Sequence, residues 1–301
     1  MEINLIYMNK LVVGTAQLGL KYGKTNITGK PSNDESSEII KYAVKNNVKM
    51  FDTAREYGNS EELLSCVTSN KNVSIMTKLK HFNTDICEEE LINNVNNSIN
   101  MSRKSLNIDR INILLLHSYD HYNNKVIWNE LLRLKSLGYI SKIGVSIYNV
   151  NEAINLLKDN NVNCIQLPIN IIDSQWNNNE FETLIKKRHD VLIYARSVLL
   201  QGIILNDGSL WPKDVNSDFY IKTLEKLKNE FKFSSKLELA LSYVMSIKWI
   251  NGIIIGIELL EQLKENIKIF KNIKTLNTNE INIIKKYFND TPKNLVDPRM
   301  W

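Results

Sequence analysis

Residues 48–64, VKMFDTAREYGNSEELL, begin as an apolar run and end as the first turn of a helix. Between the two lie Asp52, which directly follows the apolar pair before it, and then Tyr57 beside Gly58. An apolar strand that runs into an aspartate either ends in a capped turn or presents the carboxylate to a site. The organisation of the whole chain decides between these two interpretations.

Eight apolar runs of this kind alternate with amphipathic helical patterns. The runs are continuously apolar, which is typical of strands buried on both faces of a parallel sheet. They are KLVVGTA (10–16), VKMFDTA (48–54), VSIMTKL (73–79), INILLLH (111–117), KIGVSI (142–147), CIQLPIN (164–170), DVLIYARS (190–197) and GIIIGI (252–257). Helical patterns cover residues 33–47, 87–106, 125–138 and 149–160 among others. Eight strand–helix units predict a (β/α)8 barrel, and a doubly wound sheet is the main alternative.

Capping residues and loop composition divide the chain into elements but not into domains. Ser32 or Asn33 is expected to cap the start of the helix at residues 33–47, and Asn149 is expected to cap the start of the helix at residues 149–160. Gly138 is expected to end the helix at residues 125–138. No segment rich in Pro, Gly or Ser splits the chain, so residues 1–301 are interpreted as a single barrel domain. Residues 205–219 are predicted to form a long loop after the seventh strand, on the active face.

Composition narrows the class of protein. The 301 residues are 43% hydrophobic and 24% charged with a net charge of +5, and no basic run with interleaved aromatic residues points to nucleic acid. Three widely spaced cysteines favour a reducing, cytoplasmic setting. The first ten residues do not read as a signal peptide, and no apolar run approaches the roughly 18 residues of a membrane span.

Four side chains capable of acid–base chemistry follow successive predicted strands. Asp52 ends the second run, Tyr57 lies in the loop after it, Lys78 ends the third run and His117 the fourth. Each alone has an ordinary explanation: a turn cap, a packed tyrosine, a lysine that reaches solvent, or a histidine satisfied in the core. Because the strand ends of a barrel form a ring, the four together predict one site.

These four residues suit the protonation of an oxygen on which negative charge develops. An ammonium favours the phenolate, so Lys78 is expected to lower the pKa of Tyr57 and improve it as a proton donor. Asp52 would hold the lysine in place, and His117 would hydrogen-bond a carbonyl oxygen. None of these groups can supply a hydride, so a nicotinamide cofactor is implied.

The same stretches resemble the aldo-keto reductase family. The resemblance is carried by LVVGTAQLG, FDTAREYGNSEELL, TK after the third strand, LLLH after the fourth, KIGVSIYN and IIIGIELLEQLKEN, and covers about residues 11–267. It implies a (β/α)8 barrel with Asp52, Tyr57, Lys78 and His117 as the catalytic residues. Lys80 matches the family's lysine less well than Lys78, because that lysine directly follows the threonine.

The resemblance also implies a cofactor site across the barrel mouth, without a GxGxxG motif. The implied cofactor-binding residues are Gly14, Thr15, Asp52, Ser146, Gln166, Arg196, Ser197, Leu199, Gln201, Gly202, Gly256, Gln262, Glu265 and Asn266. Of these, Ser146 and Gln166 match residues that hold the nicotinamide amide, and Gln262, Glu265 and Asn266 match the adenosine end. No metal ligands are predicted.

The chain departs from the family pattern at three positions. Ile147 stands where many members have asparagine, and Arg196 stands where an aromatic residue usually stacks on the nicotinamide. Gln262 replaces a residue that is often basic and grips the 2′-phosphate of NADP(H), and Glu258 lies close by. We expect NADP(H) to be preferred, but by less than is usual for the family, with NAD(H) as the alternative.

The function expected from the sequence is reduction of an aldehyde or ketone to an alcohol. A sugar or nucleotide-linked sugar is considered as the substrate, since Trp176, Trp211 and Trp301 could pack against a sugar ring. Ordinary packing is an equally good explanation of each tryptophan. The alternatives are a cofactor-holding regulatory or binding subunit with slow turnover, and a barrel with only a structural role. A monomer or small homo-oligomer with no nucleic-acid or membrane partner is expected.

Overall fold

The computed structural model describes residues 7–301, which form one closed barrel of eight parallel strands. The strands are β1 (Leu11–Gly14), β2 (Met50–Asp52), β3 (Ser74–Lys78), β4 (Ile111–Leu116), β5 (Ile140–Ser146), β6 (Cys164–Pro168), β7 (Leu192–Arg196) and β8 (Gly252–Gly256). Each strand pairs with its neighbour in the sequence, and β8 pairs with β1 to close the ring. The (β/α)8 barrel is therefore confirmed, and the doubly wound alternative is wrong.

Helices follow the strands and pack around the barrel. They are α1 (Ala16–Gly19), α2 (Asn33–Lys45), α3 (Ser60–Leu64), α4 (Glu88–Leu106), α5 (Tyr119–Asn123), α6 (Lys125–Ser136), α7 (Val150–Leu157), α8 (Asn179–Lys187), α9 (Ser217–Glu230), α10 (Lys236–Met245), α11 (Leu260–Asn272), α12 (Thr278–Tyr287) and α13 (Lys293–Val296). Short 3₁₀ segments lie at Ser65–Val67, Leu200–Leu205 and Pro298–Met300. Across residues 7–301, no helix is both long and apolar enough to cross a membrane.

Two apolar layers account for the continuously apolar runs. Val12, Met50 and Ile254 belong to a small cluster inside the barrel, whereas Leu11 and Val13 belong to the large core cluster, together with residues of the surrounding helices. Successive residues of a strand point to opposite faces, so both faces of these strands are buried. This explains why the strand runs lack the polar alternation of a half-exposed sheet.

The predicted capping residues lie at the ends of their helices. Ser32, rather than Asn33, is the N-cap of α2 and forms a capping box with Glu35. Asn149 forms the same arrangement at α7, and Gly138 has a left-handed φ of 85° directly after the C-cap of α6. The predicted loop at residues 205–219 is shorter in the structure, because α9 already begins at Ser217.

Candidate active site

The carboxyl ends of the strands open onto a cavity of about 440 Å³. Its floor includes Gly14 at the end of β1 and Gly256 at the end of β8, which are paired in register. A volume of this size is in the usual range for small-molecule sites. The side chains predicted from the sequence can therefore be placed relative to one defined space.

Asp52 and Lys78 form a buried ion pair at the base of this cavity. The Lys78 ammonium lies 2.7 and 2.8 Å from the two carboxylate oxygens of Asp52 and donates to the carbonyl oxygen of Thr53 at 2.8 Å. Only 1% of the Lys78 side chain is exposed, so it does not reach solvent. Burial lowers the pKa of Lys78, and the Asp52 carboxylate opposes this change. Asp52 is thus more than a turn cap, because it neutralises a buried cation.

Tyr57 is held in place by a close backbone contact that requires glycine. Gly58 has a φ of 54°, and a Cβ atom there would lie 2.3 Å from the carbonyl oxygen of Gly19. On the other side, a Cβ at Gly19 would lie 1.8 Å from the carbonyl oxygen of Tyr57, and Ser60 donates its backbone N–H to that same oxygen. The Tyr–Gly pair of residues 57 and 58 therefore fixes the tyrosine at the cavity edge.

The Lys78 ammonium lies over the face of the Tyr57 ring, 4.8 Å from its centroid. Burial nevertheless raises the pKa of the Tyr57 hydroxyl, and the negative charge of Asp52 adds to this rise. The net pKa of the Tyr57 hydroxyl is therefore raised, whereas the sequence predicted that it would be lowered. The physical reason is that Asp52 offsets the lysine charge while the protein removes the phenol from water.

His117 lines the same cavity beside Tyr57, with the two ring centroids 5.9 Å apart. Its Nδ1 atom lies 3.1 Å from a carboxylate oxygen of Glu56. Burial, together with the charge of Lys78, lowers the pKa of His117 to about 2, so the imidazole is neutral at physiological pH. A histidine that lines a cavity is not a satisfied core residue, so this alternative is wrong.

Most of the predicted cofactor-binding residues line the cavity. These are Gly14, Asp52, Ser146, Gln166, Arg196, Ser197, Leu199, Gln201, Gly202, Gly256, Gln262, Glu265 and Asn266. Thr15 is the exception, since it is fully buried and donates its hydroxyl to the backbone carbonyl of Asp52. Gln166 donates its side-chain amide to Asp52 at 2.7 Å and accepts a hydrogen bond from Ser146 at 3.2 Å.

Arg196 brings a positive charge into the cavity. It donates to the carbonyl oxygen of Ile147 at 2.8 Å and to the hydroxyl of Ser197 at 3.2 Å. Its guanidinium lies 4.2 Å from the ring centroid of Tyr148, a cation–π contact. Within residues 7–301, it is the only lysine or arginine among the cavity-lining residues.

The far end of the cavity is formed by the start of α11. The Gln262 side-chain oxygen accepts from the backbone N–H groups of Glu258 and Leu259, at 3.0 and 3.2 Å. Its amide nitrogen donates to the Glu258 carboxylate at 2.9 Å. The side chain of Gln262 thus occupies backbone N–H groups that could otherwise hold a phosphate.

Asn266 carries an unpaired polar atom at this end of the cavity. Only 3% of Asn266 is exposed, and its Oδ1 atom has no hydrogen-bond partner in the structure. A buried acceptor without a partner is costly unless a ligand donates to it. An adenine amino group is such a donor, so the residues present fit a dinucleotide lying across the barrel mouth.

Several cavity-lining residues were missed in the sequence. Gln17, Tyr22 and Tyr148 all line the cavity. Tyr148 could have been found, because it directly follows a predicted strand end at the active face. Tyr22 lies in an irregular loop after α1, and nothing in the local sequence pattern placed that loop over the cavity.

The tryptophans are not placed where they could pack against a substrate sugar. Trp176 and Trp211 are buried in the core, and neither they nor Trp301 lines the cavity. Trp301 donates its indole N–H to the carbonyl oxygen of Asn294 and packs under Lys24. Their presence therefore gives no support to a sugar as substrate.

Comparisons with known proteins agree with this geometry. The family model described as "Aldo/keto reductase family" matches residues 10–288. No curated protein matches the chain significantly.

Solved structures share the fold at low sequence identity. Aldo-keto reductase AKR11C1 from Bacillus halodurans, in its holo form, is 19% identical with a TM-score of 0.75, covering 97% of this chain and 95% of that one. The glycerol dehydrogenase AKR11B4 from Gluconobacter oxydans is 20% identical with a TM-score of 0.71, covering 96% and 94%. At this level of identity, these likenesses speak for the fold alone.

Proposed function

Because the chain belongs to the aldo/keto reductase family, we propose that it reduces an aldehyde or ketone to an alcohol with a nicotinamide cofactor. The observation that carries this proposal is the convergence of Asp52, Lys78, Tyr57 and His117 at one cavity edge. The bound nicotinamide would supply the hydride. The chain's own residues would supply the proton and stabilise the charge that develops on oxygen.

Tyr57 is the proposed proton donor. Its raised pKa keeps the phenol protonated at neutral pH, so the proton is available when the substrate oxygen becomes basic. The Lys78 ammonium over its ring would stabilise the phenolate that remains after proton transfer. Asp52 keeps Lys78 charged and in position, which makes it a positioning residue in this proposal.

His117 is proposed to donate a hydrogen bond to the carbonyl oxygen. Its Nδ1 atom faces Glu56, so Nε2 is the ring nitrogen left for a substrate. A neutral imidazole carries one proton, and donation to a carbonyl requires that proton on Nε2. The tautomer of His117 is therefore part of the proposed mechanism.

The choice between NADP(H) and NAD(H) depends on the start of α11. Glu258 and Glu265 line this end, and the only lysine or arginine among the described lining residues, Arg196, ends β7 and does not belong to this helix. A carboxylate repels a 2′-phosphate and accepts hydrogen bonds from ribose hydroxyls. The capping of α11 by Gln262 further reduces the backbone donors open to a phosphate. We infer that the protein discriminates only weakly between the two cofactors. The cofactor that is usual for the family favours NADPH, whereas the carboxylates at the start of α11 favour NADH.

The substrate class is proposed as small polar carbonyl compounds, with ketosugars and nucleotide-linked sugars included. Tyr22 and Tyr148 line the cavity and supply the aromatic faces that the tryptophans do not. One of the solved structures that share the fold is named as a glycerol dehydrogenase, and glycerol is a small polyol. This supports polar substrates without identifying one.

The experiment is a steady-state assay of NADPH and NADH oxidation with 4-nitrobenzaldehyde and a panel of ketosugars. An enzyme should turn over many times per chain with at least one carbonyl compound. A cofactor-holding subunit would bind the nucleotide, as seen by fluorescence, but turn over slowly with every substrate. A barrel with only a structural role would fail to bind either cofactor.

A further inference from the structure

Two histidines and a glutamate form a cluster at the barrel mouth, next to the catalytic residues. Glu56 follows β2, His81 follows β3 and His117 follows β4, so three neighbouring strands bring them together. One oxygen of Glu56 lies 2.7 Å from Nδ1 of His81 and 3.1 Å from Nδ1 of His117. The three donor atoms all lie within 4.8 Å of one another, a grouping suited to a metal ion in the described chain.

We propose that this His–His–Glu cluster binds a divalent transition-metal ion of the Zn²⁺ type. Two imidazole nitrogens and one carboxylate oxygen are a ligand set that zinc accepts, with a fourth position left for water or another ligand. Ligand atoms around a tetrahedral zinc ion lie about 3.3 Å apart. The two separations from the Glu56 oxygen differ from this value by less than about 1 Å, so side-chain movement alone can admit the ion.

The cluster is also open to solvent. The side chains of His81, Glu56 and His117 are 47%, 32% and 20% exposed, so an ion can reach them without backbone movement. Glu56 supplies the negative charge, and Asp52 neutralises Lys78, whose charge acts on His117. Magnesium and calcium prefer all-oxygen sites, so they are expected to bind poorly here.

A second argument rests on the proposed function. Donation from Nε2 of His117 to a carbonyl leaves a lone pair on Nδ1, which then faces the Glu56 oxygen at 3.1 Å. Two acceptors at this distance repel each other. A cation between them turns both lone pairs into ligands and favours the Nε2–H tautomer proposed above for donation to the carbonyl oxygen.

The test is a calorimetric titration of the cofactor-free protein with Zn²⁺, and with Mg²⁺ for comparison. We expect one saturable zinc site per chain and no comparable magnesium binding. His81→Ala should weaken zinc binding by more than about a hundredfold, beyond the 10–100-fold typical of losing an outer-shell partner. His189→Ala is the matched control, because His189 is an exposed histidine before β7, at the opposite end of the barrel.

The absence of saturable zinc binding would overturn the proposal, and so would equal zinc affinity in wild type and His81→Ala. Circular dichroism checks that His81→Ala is folded. If it is not, Glu56→Gln decides, since it keeps the side-chain shape but loses the charge and should also weaken zinc binding. No substrate or nicotinamide is present in this experiment, so its failure leaves the proposed carbonyl reduction untouched, and the reverse also holds.

Discussion

Asp52 organises the centre of the site at the scale of single residues. Its carboxylate binds the Lys78 ammonium and the Gln166 amide, and its backbone carbonyl accepts from Thr15. Removing one partner of a buried ion pair typically costs about 3–5 kcal/mol, because the other charge stays buried. The position of the Lys78 ammonium over the Tyr57 ring therefore depends on intact charges at both Asp52 and Lys78.

His117→Ala should lower kcat by about 10²–10³-fold, the cost typical of losing one donor to a developing oxyanion. Its effect on cofactor affinity should be small, because its ring faces Tyr57 and Glu56 rather than the α11 end. Steady-state kinetics and nucleotide titration by fluorescence measure the two quantities. A variant that loses cofactor binding but keeps its kcat at saturation would show that His117 is a cofactor ligand.

Asp173 gives the molecule a pH-dependent stability. Burial raises the pKa of Asp173 to about 6, so the folded state binds its proton more tightly than the unfolded state. Stability from this group is therefore present below about pH 4 and is lost as pH rises through 6, by at most about 3 kcal/mol. The unfolding free energy of wild type minus that of Asp173→Asn should fall over this range.

Urea unfolding at several pH values between 4 and 8 measures this difference. Asp190→Asn is a useful comparison, because the Asp190 carboxylate is exposed and pairs with Arg188, which holds its pKa below the usual value. That variant should show a smaller trend of opposite sign. A wild-type minus Asp173→Asn difference that stays constant with pH would show that Asp173 is not perturbed.

Much of the residue-level site could be predicted, because strand ends in a barrel meet at one face. That rule alone predicts a site made of Asp52, Tyr57, Lys78 and His117. The electrostatic balance could not be predicted, since it depends on burial and on three-dimensional distances. The pKa of Tyr57, which rises rather than falls, is the clearest case.

At the scale of elements, helix starts are set by local hydrogen bonds. The Ser32 hydroxyl accepts from the backbone N–H of Glu35, and the Glu35 carboxylate accepts from the backbone N–H of Ser32. Such capping boxes satisfy N–H groups that the helix itself leaves unpaired. The sequence predicted the capping residue, because Ser32 directly precedes the helical pattern, but it did not predict the reciprocal bond from Glu35.

Ser32→Ala should lower the free energy of unfolding by about 1 kcal/mol, the usual cost of losing an N-cap. Ser37→Ala, in the body of the same helix, is the control, and it should be neutral or slightly stabilising, because alanine favours helices. Chemical denaturation of wild type and both variants measures the change in the free energy of unfolding. Equal losses would mean that the capping box contributes nothing measurable.

Glu258→Arg should raise the preference for NADPH over NADH by about tenfold, which is about 1.4 kcal/mol for a new charge-assisted contact. The reason is that Glu258 lines the cavity at the start of α11. Glu261→Arg makes the same charge change in the first turn of that helix but does not line the cavity. Fluorescence titration with both cofactors compares the variants.

Equal shifts in both variants would show a general charge effect rather than a contact with the 2′-phosphate. No shift in Glu258→Arg would place Glu258 outside the phosphate site.

The loops around the site were the least predictable elements. In the Leu200–Leu205 segment, Gln201 and Gly202 both have positive φ, and a Cβ at Gly202 would lie 2.1 Å from the Thr25 hydroxyl. Gly202 and Thr25 are far apart in the chain, so no local sequence pattern predicts that they are in contact. The close backbone contact between Gly19 and Gly58 could not be predicted from the sequence for the same reason.

At the scale of the whole molecule, barrel closure explains why one short stretch could indicate the fold. β2 ends in register with Gly14 of β1 and Met76 of β3, which brings Asp52 to Lys78, two residues beyond Met76. The hydrogen bond from Gln166 of β6 to Asp52 of β2 joins strands on opposite sides of the ring, so it depends on barrel closure. Eight repeated strand–helix units made the barrel predictable. The lengths of the strands were not, since β2 covers only Met50–Asp52 of a seven-residue apolar run.

We propose that this barrel places Tyr57 to protonate a carbonyl oxygen, and the proposed function depends on this role. Its most direct test is the kcat of Tyr57→Phe with NADPH and an unactivated ketone that wild type reduces, alongside the cofactor Kd of both proteins. We expect a loss of about 10²–10⁴-fold in kcat, the usual contribution of a positioned acid, with cofactor affinity retained. Near-normal turnover by a correctly folded Tyr57→Phe protein would contradict it.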